Sequence, residues 1–350
     1  MSGGVDGTVM SRRGLLAAVV TGTAAAPLLR SAGALADEQS LARPCAVRPV
    51  PLARETVRLG VLQLPAARPD EPRELPLQRM ITLLERSVSE GQRHDLVWCP
   101  ADALLPPPGA RPVKALLAEA LSLDGPEIGR LAAWARQHRC YLGLGARLRL
   151  PDWPGRVVAA NLLLDDRGRQ VAVHWQARHA RGYDGALNDP GVTVVEDVLP
   201  RYLERYGPEA VLPVTATPVG TLAMHAVEGE PELLRVLALR GCELVLRSAP
   251  RLAGHVDMAA GSLHNGIFTA VAASSGPRTA ELAPDCRSVV VGPRGELLAA
   301  AGTGGSQCMT VRLPMAALRA RRLPADASPL VAAAAQPSVR PNRSSSSRSS

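Results

Sequence analysis

The sequence predicts a single α/β domain, on three observations. Helix-spaced apolar stripes alternate with short, strand-like apolar runs through the first half of the chain. Paired short runs around Gly-containing turns follow in the last third, as hairpins do. At 350 residues, with 46% apolar and 21% charged side chains, the chain has an ordinary globular composition and ample length for a core. Aromatic residues make up only 3%, so Leu, Val and Ala must fill that core.

The elements follow in order. Val57 to Leu64 is an apolar run that predicts a strand. Leu77, Met80, Ile81, Leu84 and Val88 recur at helical spacing, and Gly91 closes that helix. Asp95 to Cys99 predicts a second buried strand, and the prolines within 105–112 exclude regular structure there. Pro126 opens a helix with Ile128, Leu131, Ala132 and Ala135 on one face. Cys140 to Ala146 and Val157 to Leu164 predict strands, and the turn Asp165-Asp166-Arg167-Gly168 leads into another. Gly182 to Pro208 reads as an irregular insertion over the mouth of the fold. Thr221 to His225 predicts a strand, Pro231 to Arg240 a helix ended by Gly241, and Glu243 to Leu246 a strand. Residues 257–266 predict a helix and Phe268 to Ala273 an extended segment. Arg287 to Val291 and Glu296 to Ala300 flank the turn Gly292-Pro293-Arg294-Gly295 as a hairpin, and Met309 to Leu313 is the last strand.

The ends differ in character from this body. Arg12-Arg13, an apolar run to Leu29 and Ala34-Leu35-Ala36 have the features of a twin-arginine export signal over residues 1–36. An uncleaved anchor or a chance Arg pair is the competing reading, although the run is shorter than the ~20 apolar residues a spanning helix needs. The expectation is therefore a periplasmic or extracellular protein that meets a membrane only during export. Residues 37–54 read as a linker, 55–323 as the domain, and 324–350 as a disordered Arg/Ser-rich tail.

The formal charge of +8 lies partly in these ends, and no basic stretch with interleaved aromatics points to nucleic acid. Among the 40 Lys and Arg residues only Lys114 is a lysine, so lysine-dependent chemistry would have to use it. An oxidising compartment permits disulfides among Cys45, Cys99, Cys140, Cys242, Cys286 and Cys308. Four of them (Cys99, Cys140, Cys242 and Cys308) adjoin apolar runs, which favours buried free thiols, and no Cys/His spacing indicates a metal or other cofactor.

Three phrases carry a family resemblance. Leu96-Val97-Trp98-Cys99-Pro100-Ala101 resembles the nitrilase, or carbon–nitrogen hydrolase, pattern of strand, aromatic, Pro and Glu, with Ala101 at the Glu position. Gly168 to His179 resembles "Gly, strand, Tyr-Arg-Lys-x-His", with Ala177 at the Lys position. Gly220-Thr221-Leu222-Ala223-Met224-His225, followed by Pro231-Glu232, resembles "Gly-x-x-x-x-Cys … Pro-Glu", with His225 at the Cys position. Pro126 to Gly145, Thr217 to Gly220, Ala260 to Asn265 and Ser288 to Ala300 resemble further family segments in the right order. The resemblance implies a four-layer αββα sandwich, often dimerised through a helical face.

It also implies a mechanism in which Glu is the base, Cys the nucleophile and Lys the oxyanion partner. Such chemistry needs a thiolate, a titratable base and a fixed positive donor. Ala101 and Ala177 supply no such group, and His225 would act without them. No active catalytic residue is therefore expected. Asp102, His179, His225 and His264 are the expected pocket-lining residues, with His174 also near the old pocket. Arg178 and Glu196 are the remaining charged candidates. The leading expectation is an inactive member that binds a small amide-like molecule or a protein. The alternative is an active amidase-like hydrolase with relocated groups. A homodimer, or pairing with an active paralogue, is also compatible.

Overall fold

Two sheets built from short, apolar strands form the centre of the molecule. The structure, a computed structural model, describes residues 46–109, 111–179, 191–225, 230–248, 254–275, 287–302 and 305–322. The expected signal segment 1–36, the linker up to residue 45 and the tail 324–350 lie outside the described residues.

The first sheet is formed by β1 (Val57–Pro65), β2 (Leu96–Cys99), β3 (Tyr141–Leu148), β4 (Val158–Leu164) and β5 (Gln170–Trp175), in that spatial order. β1, β2 and β3 run parallel, and β3, β4 and β5 are antiparallel. In the second sheet, β6 (Thr215–Thr217), β7 (Gly220–Met224), β8 (Leu244–Arg247) and β9 (Phe268–Val271) are consecutive. β10 (Ser274–Ser275) crosses to the first sheet and pairs with the end of β1. β11 (Val289–Val291) and β12 (Leu297–Ala300) complete the second sheet as an antiparallel hairpin, and β13 (Gln307–Leu313) returns to β1. β7, β8 and β9 are parallel.

Each central strand divides its side chains between two apolar layers, because successive residues point to opposite faces. Val57, Leu59 and Val61 of β1, Leu96 and Trp98 of β2, and Leu244 and Leu246 of β8 meet in the layer between the sheets. Leu62, Leu64, Val97 and Cys99 face outward. There they meet α1 (Glu74–Ser89) through Leu77, Met80 and Leu84, and α3 (Pro126–His138) through Ile128, Leu131 and Trp134. On the other outer face, α5 (Pro231–Leu239) covers Ala223 and Val245 with Leu234 and Leu237. Met258 of α6 (Gly254–Asn265) covers Val271, Val289 and Val291. The order is therefore helices, sheet, sheet, helices, the four-layer sandwich expected above.

The insertion expected to be irregular departs from that reading. Beyond a 3-10 turn at Val195–Val198, residues Leu199–Tyr206 form α4. Only Tyr202 of this helix is buried, so no apolar stripe announces it. It is held by aromatic contact, with Tyr202 5.1 Å from Trp175 and Trp175 5.2 Å from Trp153, centroid to centroid. Residues 180–190 of the same stretch lie outside the described residues. Two other short helices were also not anticipated: α2 (Val113–Glu119), with Leu116 alone buried, and α7 (Met315–Arg321).

Residues 46–54, read as linker, carry no helix or strand but bind the body. The Val47 N–H donates to the Arg240 carbonyl at 2.9 Å, and the Ala53 N–H to the Pro218 carbonyl at 2.8 Å. Arg319 of α7 donates to the Val50 carbonyl at 2.7 Å and forks onto the buried Glu243 at 2.6 and 2.9 Å. Arg322 reaches the Gly241 carbonyl at 3.4 Å. The described segment thus begins and finishes at the same turn, Arg240-Gly241. Cys99, Cys140 and Cys242 are buried free thiols, and Cys308 is a half-buried one; Cys45 and Cys286 lie outside the described residues.

Candidate active site

Parallel strands end with their carboxyl termini together, and in open α/β sheets ligands collect there. In this protein that edge carries a buried polar chain. Ser248 follows β8 and donates its hydroxyl to Asn161 Oδ1 at 2.8 Å. Asn161 Nδ2 donates in turn to the Met224 carbonyl at 2.9 Å. The Met224 N–H donates to His174 Nδ1 at 3.2 Å, and His174 Nε2 lies 2.8 Å from Thr215 Oγ1. An accepting Nδ1 places the His174 proton on Nε2, so the ring donates to Thr215. Trp98 Nε1 spans the sheets to donate to the Arg247 carbonyl at 2.8 Å.

Position 101 adjoins this chain. Pro100 turns the backbone out of β2 into the 3-10 turn Ala101–Ala103. A Cβ on Gly145 would lie 2.5 Å from Ser248 Oγ and 2.7 Å from Ala101 Cβ, so only glycine lets β3 pass this close. His225 follows Met224, and its N–H donates to the Leu246 carbonyl at 3.1 Å. It is 1% exposed, with its ring centroid 5.6 Å from that of His174. Burial pushes the His225 pKa down to about 4; the Pro213 carbonyl opposes this and the Arg240 charge adds to it. Burial, reinforced by His225, holds His174 well below the ordinary histidine range. Both rings are neutral at pH 7. The His225 Nε2 atom is buried with no hydrogen-bond partner. Ala177 is half-buried and packs in the apolar cluster beneath α5 that also holds Ala223.

The charged candidates are committed elsewhere. Arg178 Nε is 3.0 Å from Glu196 and its Nη1 3.0 Å from Glu230. Burial works against the Arg178 charge, yet Glu230 and Glu196 raise its pKa overall. His179 Nε2 is 2.9 Å from the Asp197 carboxylate. That pair lines a polar groove of about 480 Å³ with Arg156 and Thr193. His264 is exposed and lines a different cavity, of about 520 Å³, between α5 and α6 with Glu230, Arg235 and Asp257. The Asp102 side chain lies outside the described residues. The Ser248–Asn161–Met224 chain thus runs from near residue 101 to the residue before 225, while His179 and His264 line two separate grooves. Among the described residues, no three His, Cys, Asp or Glu side chains gather in a way that could hold a metal ion.

Sequence reasoning passed over Asn161, Arg247 and Ser248. One signal was available for Asn161: a lone amide inside the apolar run Val158–Leu164 must find buried partners.

A two-sheet sandwich with helices on both outer faces and a polar cluster at the strand ends defines the nitrilase-superfamily class of α/β fold. A family model described as carbon-nitrogen hydrolase matches residues 77–323, and the chain belongs to that family. The match begins after β1, although β1 lies inside the first sheet. Among solved structures, a cysteine-to-alanine variant of the Nesterenkonia AN1 amidase from the nitrilase superfamily is similar at 24% identity and a TM-score of 0.57. That similarity covers 77% of this chain and 96% of the amidase. The same amidase in complex with butyramide matches 76% of this chain and 94% of its own, at 24% identity and a TM-score of 0.56. A form showing covalent addition of the acetamide moiety of fluoroacetamide at the active site cysteine matches at 24% identity and a TM-score of 0.56, over 77% and 95% of the two chains. At this identity the likeness carries the fold alone. No curated protein is significantly similar in sequence.

Proposed function

We propose that this protein is an exported member of the carbon–nitrogen hydrolase family that does not cleave amides and instead binds a small amide-like molecule. One observation carries the reading. At the position where the resemblance expects a reactive thiolate stands His225, an uncharged, fully buried imidazole. Ala101 and Ala177, at the other two marked positions, have no group that could take a proton or hold an oxyanion. Removing a single oxyanion donor costs about 3 kcal/mol of transition-state stabilisation in well-studied hydrolases. Here the base and the attacking thiol are missing as well.

An active enzyme with relocated groups would need a free cation near residue 177. The neighbouring Arg178 is already engaged by two carboxylates, which argues against that role. Export rests on Arg12-Arg13, the apolar run and Ala34-Leu35-Ala36. Pairing with itself or with an active paralogue is compatible with this reading.

The experiment is a turnover assay of the purified mature chain on small amides, carbamoyl compounds and nitriles. The expected result is no turnover, together with saturable binding of at least one amide. Turnover that disappears in His225→Ala would overturn the reading.

A further inference from the structure

The groove beside His179 lies apart from the marked positions: none of residues 101, 177 and 225 lines it. His179 is held firmly at its edge. The side chain is 6% exposed, and its ring Nε2 lies 3.0 and 2.9 Å from the two Asp197 carboxylate oxygens. The backbone N–H of His179 reaches Glu196 Oε1 at 3.4 Å, and Glu196 is itself paired with Arg178. Asp197 is fixed in turn. It belongs to the 3-10 turn Val195–Val198 and accepts the Val194 N–H at 2.9 Å. Burial works against the Asp197 charge, yet the His179 ring, the Val194 N–H and the Arg156 charge lower its pKa overall, so it is ionised at neutral pH.

An ionised carboxylate accepts the Nε2–H, so in the neutral ring Nδ1 is a bare acceptor. Among the described residues Nδ1 has no hydrogen-bond partner. A carboxylate that holds one ring nitrogen and leaves the other open gives imidazole a fixed tautomer and direction, as a general base requires. The groove supplies room for a reaction. Its volume of about 480 Å³ falls within the roughly 300–1,000 Å³ of small-molecule sites. Gly155 and Gly191 line it without side chains. The exposed Arg156 lines it too, and is a cation that can meet developing negative charge.

We propose that His179, oriented by Asp197, is the general base of an esterase site in this groove, acting on small, polar carboxylic esters. Nδ1 takes a proton from water, and the water oxygen bonds to the acyl carbon. Arg156 pairs with the oxyanion so formed. The ester C–O bond then breaks and the proton passes from Nδ1 to the departing alkoxide, giving a carboxylic acid and an alcohol. An alkoxide departs more readily than an amide nitrogen, so an ester is the substrate that one base and one exposed cation can serve. This activity goes beyond the binding reading above and does not depend on it.

The test is hydrolysis of 4-nitrophenyl acetate by the purified mature chain, read as release of 4-nitrophenolate. The expected result is saturable turnover that is slower in heavy water, because a proton moves in the step that sets the rate. His179→Gln should lower kcat about a hundredfold or more, the contribution of a positioned base. Asp197→Asn should lower it about tenfold or more, through loss of the fixed tautomer. Arg156→Gln should lower it about tenfold, less than the loss of a buried oxyanion donor. Arg156 is exposed, so its variant carries the test if His179→Gln does not fold. Absence of saturable turnover overturns the inference, and so does a kcat unchanged in His179→Gln or in Arg156→Gln. Equal rates in ordinary and heavy water also overturn it, because the imidazole would then attack the acyl carbon itself. None of these outcomes bears on amide binding.

Discussion

Replacing His225 by Phe keeps an aromatic ring of similar size and removes one buried titrating group. The unfolded chain takes up a proton on residue 225 near pH 6.5, its ordinary value, whereas the folded protein does so only at about 4. Between those values the unfolded state binds more protons, so folding stability falls as the pH falls. The contribution is fully present above pH 6.5 and is lost progressively down to about pH 4. One proton of difference corresponds to about 1.4 kcal/mol per pH unit, and the whole window to roughly 3 kcal/mol. That is a sizeable part of a total stability of roughly 5–15 kcal/mol. Urea unfolding at several pH values between 4.5 and 7.5 measures the slope directly. The Phe variant should show a slope about 1.4 kcal/mol per pH unit shallower around pH 5–6, whatever its absolute stability. His94 is also held at about 4, first by burial and then by the Arg58 charge, and remains as an internal control that keeps part of the slope in both proteins. Identical slopes in the two proteins would refute the assignment of a buried neutral imidazole at 225.

Three further outcomes follow from the same geometry. Asn161→Leu strands the Met224 carbonyl and the Ser248 hydroxyl, and should cost roughly 2–6 kcal/mol in denaturant unfolding, at about 1–3 per buried unsatisfied group; a loss under about 1 kcal/mol would mean that water replaces the amide. Gly145→Ala forces a methyl against Ser248 Oγ and the Ala101 backbone and should destabilise by about 1–3 kcal/mol, read as a lowered Tm. In a Cys45→Ser/Cys286→Ser background, Ellman's reagent at pH 8 should leave the folded protein essentially unlabelled, because burial pushes the Cys242 thiol up to about 12 and Cys308 up to about 11; rapid labelling of a thiol without unfolding would contradict that burial.

The layers of this fold were legible because they are written in local periodicity. α1 and α3 repeat apolar residues every three or four positions, and β1, β2 and β8 are predominantly apolar runs, as strands buried on both faces are. α2 and α4 each bury a single side chain, so the pattern that marks a helix is absent although the helix forms. The site was legible only in part. Positions 101, 177 and 225 could be marked by motif order. The bonds of the polar chain beside them, however, join residues far apart in sequence, such as Ser248 and Asn161, and no local pattern encodes them. Side-chain direction beyond a strand end was the other blind spot. His179 turns to Asp197, a tertiary partner that spacing does not reveal, and His264 lines the groove between α5 and α6.

Val47 and Arg322 close on a single corner, Arg240-Gly241, with the Arg319 fork on Glu243 beside it. The polypeptide therefore behaves as a loop fastened by one clasp. A pull applied to either extension is borne by that clasp before it can reach the strand ends around Asn161. The topology also suits circular permutation: fusing 46 to 322 through a short bridge and cutting the backbone in a surface turn such as Asp165–Gly168 would leave every layer of the sandwich continuous.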